Sequence, residues 1–187
     1  MHVIDKQKIE QCIREILIAL GEDPDRDGIK DTPRRVAKMY EEVFQGIQYT
    51  NDEIADQFGT CFEEDMDFLS KDGIILVKDI ECTSYCEHHM ALIYDMHITV
   101  AYKPKDKVIG LSKIARIADM VCRRLQIQER ITSDIFYIIE KVTDSDDIYV
   151  KVDGKHGCMT ARGIKKHQAV TFTEQKSGIF QQQPPTF

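Results

Sequence analysis

Four side chains able to bind a metal lie between positions 82 and 89 of this chain: Cys82, Cys86, His88 and His89. A smaller cluster, His156 and Cys158 on either side of Gly157, comes much later. Thiolate sulfur and imidazole nitrogen are the ligands zinc prefers. Three of them leave a coordination position open to water, and four close the site. Cys86, His89 and Cys158 would make an open set of two cysteines and one histidine; adding Cys82 would close it. The competing reading is of buried cysteines with incidental histidines. For single cysteines on the apolar face of a helix, such as Cys12 and Cys122, that plainer reading is preferred. For the dense cluster, ligand type and spacing favour a metal.

Other polar groups are ambiguous when taken alone. Ser112, Lys113 and Arg116 stand at an expected helix start, where free backbone N–H groups and the helix dipole attract phosphate. The same residues would equally make a capped helix with solvated basic side chains. Gln128, Glu129 and Arg130 put an amide beside a carboxylate, a pair able to read the donor edge of a base such as guanine and also ordinary on a surface. Arg162, four residues past Cys158, either brings a cation to the metal cluster or sits in a turn with Gly163. Arg34, Arg35 and Lys38 read as the solvated face of a helix.

The elements that must position these residues follow from hydrophobic periodicity. Ile9, Cys12, Ile13, Ile16, Leu17 and Leu20 predict a helix over 6–20 with one buried face, stopped by Gly21. Residues 22–31 are an acidic loop. Thr32 is expected as N-cap and Pro33 as the first helical residue of a second helix. Val36, Met39, Tyr40, Val43 and Phe44 form its buried stripe, and Gly46 ends it. Short β-branched runs at 74–77 and 98–102 predict strands. Ser112 is expected to cap a third helix, with Ile114, Ile117, Ala118, Val121 and Leu125 facing inward. A fourth helix is expected over 133–142, then strands at 148–152 and 169–172. The order strand, strand, helix, helix, strand, strand favours an α+β fold with a largely antiparallel sheet. Helices on one face would leave the other partly apolar, to be covered by other subunits.

Composition sets the outer bounds. The chain has 187 residues, 42% hydrophobic and 30% charged, with a net charge of −7. The acidic balance argues against general nucleic-acid binding, where a basic face is expected. It leaves room for a small anion in a locally basic pocket. No apolar run is long enough to cross a membrane, and the N-terminus lacks the pattern of a secretory signal. With six scattered cysteines, a reducing, cytoplasmic setting is expected.

Taken in order, these strings resemble the GTP cyclohydrolase I family. The resemblance is carried by Cys86-Glu87-His88-His89, by Gly110-Leu111-Ser112-Lys113 with Arg116, and by Leu125 followed by Gln128-Glu129-Arg130. His156, Cys158-Met159 and Arg162-Gly163 continue it, and upstream Asp31-Thr32-Pro33-Arg34-Arg35-Val36-Ala37-Lys38-Met39-Tyr40 begins it. The likeness spans about residues 5 to 180, and five motifs in order are specific where one would be weak. It departs after the paired histidines, where the family's Gly-Lys is absent from residues 90–97, and near the end, where a Gln/Pro tail stands in place of a terminal helix.

The resemblance implies a tunnelling fold: a four-stranded antiparallel sheet with two helices, preceded by N-terminal helices. It implies a helical region over 1–70, a catalytic domain over 71–180 and a disordered tail over 181–187. Subunits would join their sheets into barrels, two pentamers stacking into a homodecamer with active sites between subunits. Zinc would be held at Cys86, His89 and Cys158, with Fe2+ able to occupy the same ligands. His88 and His156 would move protons. Lys113, Arg116 and Arg162 would hold the triphosphate, joined by Arg35 and Lys38 from a neighbouring subunit. Glu129, with Gln128, would contact guanine, and Ser112 would lie near the ribose. The implied reaction opens the imidazole ring of GTP by hydrolysis at a cyclic amidine, releases formate and recloses the ring to 7,8-dihydroneopterin triphosphate, entering tetrahydrofolate and pterin synthesis.

Three alternatives stay open at this point. One is a nitrile-reducing relative of the same fold, which would need a nicotinamide cofactor; no dinucleotide fingerprint is present. Another is an enzyme that stops at the ring-opened formamide. The last is a non-catalytic zinc module, which would use Cys82 as a fourth ligand and have no need of His88 or His156.

Overall fold

The computed structural model describes residues 3–63 and 73–185. Three helices come first: α1 (Lys6–Ala19), α2 (Thr32–Val43) and α3 (Asn51–Phe58), with a 3-10 turn at Gln45–Gln48. β1 (Cys61–Glu63) follows, then the long strands β2 (Ile75–Cys86) and β3 (Leu92–Tyr102), and the short β4 (Lys107–Ile109). Next come α4 (Leu111–Cys122), the two-residue β5 (Leu125–Gln126), α5 (Gln128–Thr143), β6 (Ile148–His156), the single turn α6 (Gly157–Thr160) and β7 (Thr171–Lys176). The architecture is α+β, as expected. The main sheet has five strands where four were expected, in the order β5-β2-β3-β6-β7; β5 is parallel to β2 and the other pairings are antiparallel. β1 and β4 form a separate two-stranded ribbon.

The core lies between this sheet and the helix pair α4–α5. Ile98, Val100 and Val152 project from the sheet onto Ile114, Ile117, Ile131, Ile135 and Ile138, all fully buried. Ile114, Ile117, Ala118 and Val121 of α4 face inward as their spacing predicts. Leu125 does not join them, because α4 ends at Cys122 and the chain is already extended in β5.

The opposite sheet face is partly apolar, as expected: Leu76, Ala101 and Tyr149 share a row on it, and Ala101 and Tyr149 are buried with Phe180. Register places Glu81, His97, Asp153 and Phe172 in one row across it, and Thr99, Lys151 and Glu174 in the next. Phe172 is exposed, with Lys151 Nζ 5.5 Å from its ring centre. Apolar surface is exposed on the N-terminal helices as well. No residue of α1 is buried, and Ile16 and Leu20 are 51% and 74% exposed. The spacing that predicts a buried face on α1 is real, but within one chain only α2 is there to meet it.

Helix starts also differ from the forecast. α2 is capped by Asp31, with Thr32 already helical, and buries Pro33 and Ala37; Phe44 is buried just beyond its end, while Met39 of the predicted stripe is exposed. Gly46 is no helix stop. Its N–H bonds Arg123 O at 2.9 Å, and a Cβ there would stand 2.1 Å from Met120 O, so glycine permits the backbone contact with the end of α4. The N-cap of α4 is Gly110, leaving Ser112 inside the helix and exposed. α5 starts five residues earlier than predicted, at Gln128. α3 was not foreseen, although Thr50 and Glu53 form its reciprocal capping box.

Two devices shape the strands. β2 and β3 shift register at Val77/Ile80 and β3 and β6 at Tyr94/His97, where Asp79 and Asp95 take φ of 56° and 52°. Aspartate tolerates this left-handed conformation better than most residues, and such bulges increase local twist. Among the described residues no helix is long and apolar enough to cross a membrane.

Candidate functional site

β2 and β6 both end at the same edge of the sheet, and their ends carry the metal-binding side chains. Cys86 is the last residue of β2, and the turn after it holds His88 and His89. The turn is fixed by Cys86 N–H to Ala91 O and Met90 N–H to Cys86 O, both 2.8 Å, and by Glu87 N–H to Gln126 O at 3.0 Å. Ile93 of β3 pairs with His156, which ends β6, and α6 then carries Cys158. A Cβ at Gly157 would come within 3.0 Å of Leu92 O, so glycine lets α6 lie against β3. Thr160 locks the turn: its hydroxyl donates to His156 O at 3.2 Å and accepts from Tyr94 Oη at 3.0 Å.

The ligand atoms of Cys86, His89 and Cys158 consequently lie within 4.8 Å of one another, from positions 72 residues apart at the extremes. Cys86 is buried, Cys158 half-buried and His89 exposed. The two thiols are neighbours; burial first, then the adjacent Cys86, pushes the Cys158 thiol up from its ordinary pKa. A metal would displace that proton. Two sulfurs and one nitrogen converging from one buried and two accessible side chains suit a metal of the zinc class with a position open to solvent. Cys82 is not in this set. Its thiol neighbours that of Cys122 at the end of α4 instead, so the closed four-ligand arrangement is not formed.

The histidines take distinct places. His88 Nδ1 is 3.7 Å from Cys86 Sγ. His156 Nε2 is 2.9 Å from Gln128 Oε1. Gln128 is 1% exposed, and its Nε2 donates to Val152 O at 2.9 Å, Thr171 O at 3.0 Å and Thr173 Oγ1 at 3.3 Å. With its NH2 committed to two carbonyls, Gln128 can offer His156 only its oxygen, so His156 carries the proton on Nε2 and a lone pair on Nδ1. Burial lowers the His156 pKa, against a smaller upward pull from Glu129. His156 is thereby held as a neutral imidazole of fixed tautomer beside the metal ligands. Arg162 Nη1 donates to His89 Nε2 at 2.9 Å, bringing a guanidinium to the same place.

Glu129 and Arg130 lie exposed in the first turn of α5. Arg130 pairs with Glu87 through both guanidinium nitrogens, at 2.6 and 3.3 Å, tying the start of α5 to the metal-binding turn. Below them Arg124 is bound to Asp134 at 3.1 Å, Asn51 Oδ1 at 2.7 Å and the carbonyls of Gly46 and Tyr49 at 3.1 and 2.9 Å. No sequence pattern pointed to these two clamps or to the carbonyls that grip Gln128, because each joins residues from separate elements.

The remaining expected residues are elsewhere. Ser112 and Arg116 are exposed and Lys113 half-exposed in the first half of α4. α4 starts beside Tyr102, whose hydroxyl accepts from Ile109 N–H at 3.1 Å and which pairs with Ile75 at the opposite end of β2 from Cys86. It ends next to β5, the partner of Cys86. Twelve helical residues span about 18 Å, so one chain holds these cations well away from its own metal ligands. Arg35 and Lys38 are exposed on α2, with Arg35 loosely paired to Asp31 at 3.8 Å.

The family model described as GTP cyclohydrolase I matches residues 9–187. The chain is 60% identical over 179 residues to GTP cyclohydrolase 1 of Clostridium beijerinckii and 62% identical over 177 residues to that of Clostridium acetobutylicum, covering 95% of this chain and 91% of each relative. It is 57% identical over 182 residues to a Clostridium botulinum GTP cyclohydrolase 1, covering 97% of this chain and 93% of that one. A crystal structure of the archaeosine synthase QueF-Like in the apo form matches 58% of this chain and 97% of its own at a TM-score of 0.47 and 15% identity, too slight a likeness to assign a fold. With a family model spanning nearly the whole chain and relatives at about 60% identity, the chain belongs to the GTP cyclohydrolase I family.

Proposed function

We propose that this protein is a GTP cyclohydrolase I that opens the guanine imidazole ring of GTP, releases C8 as formate and recloses the product to 7,8-dihydroneopterin triphosphate. The observation that carries this reading is the convergence of Cys86, His89 and Cys158 to within 4.8 Å, with His156 locked beside them by Gln128. A zinc ion on these three ligands supplies, when bound, hydroxide at neutral pH; Fe2+ suits the same donors less specifically. The chain's own residues do the rest. His156, neutral and with a free Nδ1, takes and returns a proton as the purine ring opens, and His88 serves as the second proton carrier. The Glu129 carboxylate accepts from the N–H groups of guanine. Gln128, fully occupied by His156 and the strand carbonyls, acts on the base through His156.

The triphosphate is held but not cleaved, so its contacts fix the base in register and magnesium is not required by the chemistry. Arg162 reaches it from the chain that supplies the metal ligands. Ser112, Lys113 and Arg116 would serve a neighbouring subunit's site, with Ser112 near the ribose, because their own metal ligands are at the other end of the sheet. Arg35 and Lys38 on the exposed face of α2 would act likewise. Residues 75–84 of β2 and the outer side of β7 present unpaired backbone edges among the described residues. Such edges invite pairing with another sheet. They suit the tunnelling-fold barrel and a homodecamer of two stacked pentamers, with residues 1–70 as its helical arm and 71–180 as its catalytic part. The free cysteines suit the cytoplasm.

The test is incubation of the zinc-loaded protein with GTP in the absence of magnesium, assaying formate and, after oxidation, neopterin fluorescence. Equal yields are expected. Formate without pterin would mean that the reaction stops after ring opening, and neither product from a metal-loaded oligomer would overturn the assignment.

A further inference from the structure

The segment from residue 154 to residue 173 contains Lys155, Arg162, Lys165 and Lys166 and no aspartate or glutamate, in a chain of net charge −7. Basic surface residues usually need no explanation. Here three observations single out the lysines at 165 and 166. First, they belong to one tight turn with Arg162, whose guanidinium is 2.9 Å from His89. Lys165 N–H bonds Arg162 O at 3.2 Å and Lys166 N–H bonds Met159 O at 2.9 Å, closing the turn directly onto α6, which carries Cys158. Ala169 N–H to Lys166 O at 3.1 Å closes its other side.

Second, the turn holds Gly163 at φ 57° and Lys165 at φ 48°. Glycine adopts this region freely, but a lysine there is strained, and such strain persists only where surrounding bonds over-determine it. Third, the cations are not neutralised. Lys155 is paired with Asp95 at 2.8 Å, but among the described residues no carboxylate is in ion-pair range of Arg162, Lys165 or Lys166, and all three are exposed. Three neighbouring positive charges on one bonded turn, with Arg162 on the candidate metal ligand His89, make a local field that attracts a multivalent anion.

We infer that Lys165 and Lys166 form, with Arg162, a cationic arm that binds the polyphosphate of the nucleotide, contributed by the same chain that supplies Cys86, His89 and Cys158. The inference rests on the GTP reading above and adds two residues to those it assigns. The arm binds the same charge before and after ring opening, so it contributes uniform binding: it lowers KM and leaves kcat alone. Its effect falls with ionic strength, because the lysines are exposed.

Calorimetric titration of inorganic triphosphate into the zinc-loaded protein at two salt concentrations tests this without requiring turnover. Lys165→Met/Lys166→Met is expected to weaken triphosphate binding about tenfold and to flatten its salt dependence. Zinc content and oligomer size should be unchanged. Lys165→Arg/Lys166→Arg should retain wild-type affinity, and KM for GTP should rise in step with the triphosphate Kd at constant kcat. Unchanged triphosphate affinity in the methionine variant overturns the proposal. So does a fall in kcat at constant KM, which would mean that the turn merely holds Arg162 or Cys158. Lysine-dependent triphosphate binding by a wild type that makes neither formate nor pterin would leave the arm standing and remove the GTP reaction. Turnover with lysine-independent affinity would do the reverse.

Discussion

The two ends of the sheet are built to different standards of completeness. At the end where β2 and β6 finish, polar side chains tie separate elements together: Gln128 grips two carbonyls and His156, Arg130 clasps Glu87, and Arg124 ties Asp134 to the N-terminal helices. At the end where α4 begins, Ser112 and Arg116 stand exposed on a helix whose cap is a glycine without a side-chain bond. The first end is preorganised within one chain, as a site that must hold a proton donor and a metal in register requires. The second offers cationic charge on an exposed helix face, which under the proposed function would serve a neighbouring subunit's site.

Breaking the ordered end should have the largest effect. His156→Ala is expected to lower kcat by about 10²- to 10⁴-fold while bound zinc, measured by atomic absorption, stays at the wild-type level. Zinc lost together with activity would instead make His156 structural. Next, the division between the two ends can be tested by complementation. Cys158→Ser and Lys113→Met should each be nearly inactive as homo-oligomers. Subunits mixed at random after unfolding and refolding should regain activity, with about one site in four intact. No recovery would place both halves of the site in one chain.

The support beneath the ordered end can be removed separately. Arg124→Met leaves the half-buried Asp134 with only Asn51 and Gln126 as donors and the Gly46 and Tyr49 carbonyls without the Arg124 donor, and should cost about 1–3 kcal/mol of stability, read as a fall in Tm, with kcat of the folded protein little changed. A smaller loss would mean that the bonds from Asn51 and Gln126 to Asp134 carry the junction without Arg124. The smallest change is expected from Ser112→Ala for stability. Ser112 is not the N-cap of α4, so the loss should stay within about 0.5 kcal/mol, where a true cap would cost about 1 kcal/mol. Any effect of this substitution should appear in turnover instead.

Much of the fold was legible because periodicity reports burial. The inward face of α4, apart from Leu125, and the apolar residues of the strand cores at 98–102 and 148–152 came directly from apolar spacing, and these are buried. The failures have physical causes. α1 shows a helical apolar stripe, but spacing does not say which molecule covers it. Ser112 and Thr32 have good capping chemistry, yet Gly110 and Asp31 occupy the cap positions because the chain turns one or two residues earlier. The polar rows on the far face of the sheet, such as Glu81, His97 and Asp153, were not foreseen, because they come from separate strands whose register the sequence does not state. For the site, ligand chemistry flagged Cys86, His89 and Cys158, while Cys82, equally a thiol and only four residues from Cys86, was left as an open choice.

The sequence by itself determined the ligand types, the helical and extended segments and, through five ordered motifs, the family. These depend on side-chain chemistry and local spacing, which are written along the chain. Tertiary structure alone decided that Cys82 turns to Cys122 while Cys86 meets Cys158, that Gln128 fixes the tautomer of His156, and that Lys113 and Arg116 lie at the far end of the sheet from their own metal ligands. Each of these depends on strand register and on the path of α4 along the sheet. Register is set by how whole elements pack, so no residue carries that information alone.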